Sequence, residues 1–180
     1  MAEPGEHPEV FGADEQQDVD VDVLRWSGLA RHTLIAERAP AGGELSLIFV
    51  DESAIADLNE RFLAGTGPTD VLAFPLDDDP PPRGRQPDQG GRGPGSPSEP
   101  SDPPVVIGDV VVCPAVVERN ATSDGRPFDA ELARVVVHGV LHLLNYDHGD
   151  DHEASSMRSR EDELLASWRA TGEKPGGGEP

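Results

Sequence analysis

The run from Asp129 to Leu144 is dominated by Val and Leu, and it carries His138 and His142 four residues apart near its end, with His148 just beyond. A helix this apolar is stable only as the central helix of a fold, packed by other elements on most of its sides. Residues four apart on a helix lie one above the other, so both imidazoles can aim a ring nitrogen at one point about 2 Å away. Asn145 ends the helix: Asn is the commonest substitute for Gly in the left-handed position after a helix, and a reversal there brings His148 back toward the pair. The spacing H-x3-H-x5-H therefore predicts a three-histidine metal site at the end of a central helix. Three protein ligands leave a fourth position open for water, the mark of catalytic rather than structural zinc.

The competing reading is a set of core histidines, each with its own hydrogen bond. Three of the chain's six histidines fall within eleven residues of an otherwise apolar segment. Each buried ring left without a partner would cost roughly 1–3 kcal/mol. One shared metal satisfies all three, and one zinc per chain is the expectation.

Length and composition bound the rest. A chain of 180 residues with unstructured-looking stretches at both ends and in the middle makes one domain with one small core. Its single cysteine, Cys113, excludes an internal disulfide framework and a cysteine-based zinc site. There is no basic start followed by an apolar run, and nothing approaches the length of a membrane span, so a soluble cytoplasmic protein is expected. The net charge of −21 is concentrated at the amino end, where eight acids from Glu3 to Asp22 precede Arg25. Residues 1–18 are accordingly expected to be a disordered acidic leader. Residues 77–104, dense in Pro, Gly and Ser, are expected to be a disordered loop, and residues 171–180 a flexible tail; the folded domain then spans 19–170.

Between these stretches helices and strands alternate. Helices are expected within Val21–Ala36 with Leu24, Leu29 and Leu34 inward, from a Ser53 cap through Phe62 with Ile55, Leu58 and Phe62 inward, from Pro114 to about Asn120, from an Asp129 cap to Leu144, and from His152 to Arg169 with Met157, Leu164, Leu165 and Trp168 inward. Strands are expected at Leu45–Val50, at Val71–Phe74 and on either side of Gly108-Asp109, where the glycine suggests a bulge or a close backbone approach. The fold class is α+β: a small mixed β-sheet packed with several helices in one domain.

Neutral imidazoles leave zinc its full positive charge, which lowers the pKa of its bound water toward 7 and polarises a carbonyl or phosphoryl oxygen, so hydrolysis is the expected reaction class. The zinc-protease pattern H-E-x-x-H places a basic Glu beside the first His, but Gly139 stands there and has no side chain. A phosphodiester suits a site without that base, because metal charge carries much of the burden.

The segment His138-Gly-Val-Leu-His142-Leu-Leu-Asn-Tyr-Asp-His148 resembles the signature of the YbeY-type rRNA maturation factors, bacterial metal-dependent endoribonucleases. Pro68-Thr-Asp-Val-Leu-Ala-Phe-Pro75, preceded by Leu58-Asn59, is similar to that family's second motif, and Gly108-Asp109-Val110 to its third. The resemblance implies a helix-flanked mixed sheet, zinc held by His138, His142 and His148, and catalysis through the water on that zinc. It also implies a single-stranded RNA substrate, notably the 3′ end of small-subunit rRNA, and a part in ribosome quality control. Two other readings stay open: a non-catalytic zinc-containing ribosome-assembly factor, and a metallohydrolase of another substrate.

The departures from that pattern are specific. The family's phosphate-contacting Arg, five residues before the motif proline, is here Leu63; Arg61 is the nearest candidate for a phosphate contact. Asn145 stands for a usual Gly and Ala73 for a usual Ser, the 77–104 loop is long, and the family's opening strand is not evident in the acidic leader. Asp70, Tyr146 and Asp147 are candidates to orient a ligand or a water, with turn formation and packing as their alternative roles. His152 is a candidate fourth ligand or a surface residue at a helix start; His7 and His32 have no such role. With 14 Lys and Arg against 35 Asp and Glu, RNA affinity should be weak, and the small ribosomal subunit or a ribosomal protein would supply placement.

Overall fold

The computed structural model describes residues 7–76, 105–146 and 151–172. They form four strands and five helices in the order β1 (Glu9–Asp14), α1 (Val23–Ala36), β2 (Gly43–Phe49), α2 (Glu52–Phe62), β3 (Val71–Pro75), β4 (Val105–Val112), α3 (Pro114–Asp124), α4 (Phe128–Leu143) and α5 (Asp151–Ala170). The sheet order is β1-β2-β4-β3, with β1, β2 and β4 parallel and β3 antiparallel to β4. This is the expected mixed α+β sheet in one domain.

Alternation along the strands decides which helix covers which face. Leu45, Leu47 and Phe49 of β2, with Val110 and Val112 of β4, enter the main core, where they meet Trp26, Leu29 and Leu34 of α1 and the apolar length of α4. Their out-of-phase neighbours Ile48 and Val111 join a smaller cluster on the opposite face, covered by Ile55 and Leu58 of α2. Helix α4 packs on α1, α3, α5 and the two strands β3 and β4, so it is the central helix that its composition demands.

Gly108 is both a bulge and a close approach. The β2–β4 register pairs Glu44 with Val106 and Leu45 with Gly108, which leaves Ile107 as the extra residue. Gly108 has φ of 144°, and a Cβ there would run into the carbonyl oxygen of Phe74 on β3.

Several expectations are corrected. The leader is not disordered throughout: residues 9–14 form β1, which pairs in parallel with β2 from Glu9↔Glu44 to Asp14↔Phe49. As an edge strand that buries little side chain, it is held by backbone hydrogen bonds and lacks the apolar alternation that reveals a half-buried strand. The following turn is tied by Gln16, whose amide donates to Asp14 Oδ1 (2.9 Å) and the Val19 carbonyl (2.7 Å) and accepts from the Asp18 and Val19 N–H groups. Leu24 is 86% exposed because the inward face of α1 runs through Trp26, Leu29, Ala30, Thr33 and Leu34. Phe62 is 60% exposed, at the end of α2. Asp51, not Ser53, caps α2, accepting from the Ala54 N–H at 2.8 Å. Asp129 sits inside the first turn of α4, where it pairs with Arg25 (2.6 Å) instead of capping. Helix α3 runs past Asn120 to Asp124 and closes on left-handed Gly125. The rest of the leader (1–6), all of 77–104 and residues 173–180 of the tail lie outside the described residues.

Replacing Gly108 with Ala should destabilise the domain by about 1–3 kcal/mol for the backbone strain alone, more once the clash with Phe74 is included. Urea unfolding of the variant should show a lower midpoint with an unchanged slope.

Candidate metal centre

Helix α4 presents its histidines because of what the rest of its surface is doing. Val136, Val137, Val140 and Leu141 are fully buried in the main core, which turns the face carrying His138 and His142 toward the edge strand β3. Gly139 lies between them against the sheet, where a Cβ would come within 2.7 Å of a Val110 methyl and 3.1 Å of a Val71 methyl. The helix thus approaches β3 and β4 more closely than any side chain at 139 allows.

The two histidines meet as their spacing predicts. Their rings are 4.5 Å apart at 77°, and Nε2 of His142 lies 3.0 Å from Nε2 of His138. Two nitrogens each about 2.0–2.1 Å from one zinc at the tetrahedral angle would be about 3.3 Å apart, so a small adjustment of either ring admits the ion. His138 Nδ1 is turned away, 2.7 Å from Glu161 Oε1 on α5. The other oxygen of Glu161 is 3.5 Å from Arg134, one turn earlier on α4, which also reaches Asp162 at 3.2 Å.

The rings border an open cleft of about 510 Å³, walled by Leu63 after α2, by Asp70 through Ala73 and Pro75 of the β3 region, and by Asn145 and Tyr146 after α4. Asn145 has φ of 65°, the left-handed turn expected of it. Tyr146 is oriented by its phenol, which donates to Glu37 Oε2 at 2.6 Å; Glu37 in turn accepts from Arg160 Nε at 2.5 Å. By accepting the phenol's hydrogen bond the Glu37 carboxylate raises the Tyr146 pKa above the usual phenol value, with burial adding to the effect. Asp70 lines the cleft, while its Oδ1 accepts from the Val71 N–H (2.9 Å) and the Thr69 hydroxyl (3.2 Å), the local turn role weighed above.

The remaining candidates are dispersed. Leu63 is part of the cleft wall, whereas the Arg61 guanidinium lies over the Phe62 ring, 5.5 Å from its centroid, outside that lining. His152 is exposed on α5 beside Ser155, Ser156 and Ser159. His32 bonds Ser167 at 2.6 Å and packs on Trp168. His148 and Asp147 lie outside the described residues. Sequence reasoning missed Glu161, Arg134 and Glu37. Glu161 alone left a visible signal: it is an acid on the same helical stripe as Met157, Leu164, Leu165 and Trp168, and it is 3% exposed.

The sequence profile of a family described as endoribonuclease YbeY matches residues 12–169. Proteins named endoribonuclease YbeY are 41% identical over 159 residues in Frankia casuarinae (88% of this chain, 74% of the relative) and 42% identical over 155 residues in Acidothermus cellulolyticus (86% and 88%). One from Thermobifida fusca is 40% identical over 154 residues, covering 86% of this chain and 90% of its own. A solution structure from Thermotoga maritima superposes with a TM-score of 0.53 at 25% identity, covering 96% of this chain and 99% of that one. No helix among the described residues is long and apolar enough to cross a membrane.

Tyr146→Phe should lower stability by about 1–2 kcal/mol, because it removes a hydrogen bond to a charged group while Arg160 still pairs Glu37. Chemical denaturation of the variant beside wild type measures it, and a change within a few tenths of a kcal/mol would show that the phenol does not anchor the turn.

Proposed function

The chain belongs to the endoribonuclease YbeY family, and from that premise we propose that it is a zinc-dependent endoribonuclease acting on single-stranded RNA in rRNA maturation. His138, His142 and His148 would hold one zinc. The observation that carries this reading is the 3.0 Å separation of the two Nε2 atoms at the edge of an open cleft. Imidazole-only donors suit zinc. When bound, zinc would supply positive charge at the cleft, polarising a phosphoryl oxygen and acidifying a water.

The chain's own groups do the rest. The β3 region and Leu63 form the wall along which a strand would lie, and Asp70 is the carboxylate on that wall. The Tyr146 phenol keeps its proton and donates a hydrogen bond to Glu37, so it serves to fix the turn that follows α4. The sheet order puts β1, with Glu9 and Asp14, at the edge opposite β3, so these two acids lie away from the cleft. Placement on the small ribosomal subunit, through the subunit itself or a ribosomal protein, and action in the cytoplasm complete the proposal, as does a part in ribosome quality control. A second reading, a zinc-containing assembly factor that binds without cutting, is favoured by one feature: an apolar Leu63 on the cleft wall where a cation would steady a phosphate.

Two measurements test this. His142→Ala should abolish stoichiometric zinc, and full zinc occupancy in that variant would sink the ligand assignment. In single-turnover cleavage of a labelled rRNA 3′ fragment, with His138→Ala as the blank, wild type should cut slowly and Leu63→Arg faster. A charge-assisted contact of roughly 1.5–3 kcal/mol is worth about ten- to a hundredfold if made in the transition state. Wild type and Leu63→Arg both at the level of the blank would favour the binding-only factor.

A further inference from the structure

We propose that Glu161 is a positioning residue for the metal site: from helix α5 it fixes His138 as the Nδ1–H tautomer, so that the Nε2 lone pair already faces the place a cation would take. The metal part of this inference rests on the zinc reading above; the tautomer part does not.

A carboxylate buried to 3% exposure on an apolar stripe is costly unless it is paired. Glu161 has two partners on α4, Arg134 at 3.5 Å and His138 Nδ1 at 2.7 Å. An ionised carboxylate only accepts hydrogen bonds, so Nδ1 must carry the proton. In a neutral imidazole Nε2 is then the bare nitrogen. It lies 3.0 Å from Nε2 of His142 and borders the cleft. His138 is ready to ligate as it stands.

Arg134 has its own part. By sharing Glu161 it gives the buried carboxylate a cationic partner, and because it lies on α4 one turn before His138 it ties α5 to the stretch of helix that carries the ligand. Docking of the last helix and the state of the first ligand are coupled through one side chain.

Metal-free protein with 15N-labelled histidines, at about pH 8 where an ordinary imidazole is neutral, gives the direct test by long-range proton–nitrogen correlation. His138 should be the Nδ1–H tautomer. Glu161→Ala should move His138 toward Nε2–H, and Glu161→Gln, whose amide oxygen still accepts, should retain the wild-type pattern. Leu164→Ala, which loosens α5 without touching His138, should lower the melting temperature and leave the tautomer unchanged. Wild-type His138 found as Nε2–H overturns the inference without any variant having to fold.

Zinc affinity, read by competition with a chelating dye, is the second arm. Glu161→Ala should bind about 10- to 100-fold more weakly, with Glu161→Gln losing less and Leu164→Ala losing nothing. Zinc uptake by wild type with unchanged affinity in Glu161→Ala overturns the role of Glu161 alone. Coincident titrations of wild type and His142→Ala overturn the zinc reading itself, and the metal part of this inference with it.

Discussion

The close approach of α4 to the sheet governs the site. A Cβ at Gly139 would come within 2.7 Å of Val110 and 3.1 Å of Val71, both on strands in a core packed to crystal-like density where such a clash cannot be absorbed cheaply. Because α4 can lie that low, the neighbouring face that carries His138 and His142 is brought to the rim of β3 and not into solvent above it. Gly108 makes the matching concession on the sheet side, letting β4 run beneath Phe74. Two glycines on facing elements thus set the depth of the cleft, one by permitting a helix to approach and the other by permitting a bulge.

What was legible in the sequence follows from how local each determinant is. The histidine helix, the left-handed Asn145 and the bulge at Gly108 are written in spacing and residue type over a few positions, and the structure reproduces each of them. Strand β1 was hidden because its stability comes from a partner: its backbone pairs with β2, while its side chains stay mostly outside the core and carry charge. Phe62 and Leu24 misled because a hydrophobic side chain is not proof of burial; on short amphipathic helices the exposed end of the stripe is decided by where neighbouring elements stop. Glu161 belongs to a third kind. Its place on an apolar stripe was visible, but its meaning depends on His138, twenty-three residues away and on another helix, and no local pattern encodes that pairing.

The ion pairs divide in the same way between ornament and structure. Arg119 with Glu52 joins two exposed side chains and contributes little by the usual measure of surface pairs. Glu37 is different: its side chain is 9% exposed, and it receives both the Tyr146 phenol and the Arg160 guanidinium. It connects the end of α1, the turn after α4 and the middle of α5. Together with Glu161 it makes α5 more than a lid on the core, since two buried carboxylates, one on α5 and one facing it, fix groups on either side of the cleft. Their partners are necessary to them, because a buried carboxylate stripped of its cation or donor costs several kcal/mol.

Gly139 also bears on the chemistry. The position after the first histidine is where a helix-borne metal site of the protease kind keeps its general base, and here the packing of α4 forbids any side chain there. Among the described residues, the acids near the rings are already committed: Glu161 to His138 and Arg134, Glu37 to Tyr146 and Arg160, and Asp70 to its own turn. A site with this arrangement is poorly equipped to shuttle protons for amide hydrolysis, where the leaving amine must be protonated. It is better matched to a phosphodiester, whose transition state is stabilised chiefly by positive charge on the equatorial oxygens. The cleft wall agrees, because Leu63, Val71, Leu72 and Pro75 are apolar and the polar groups gather at the end of α4.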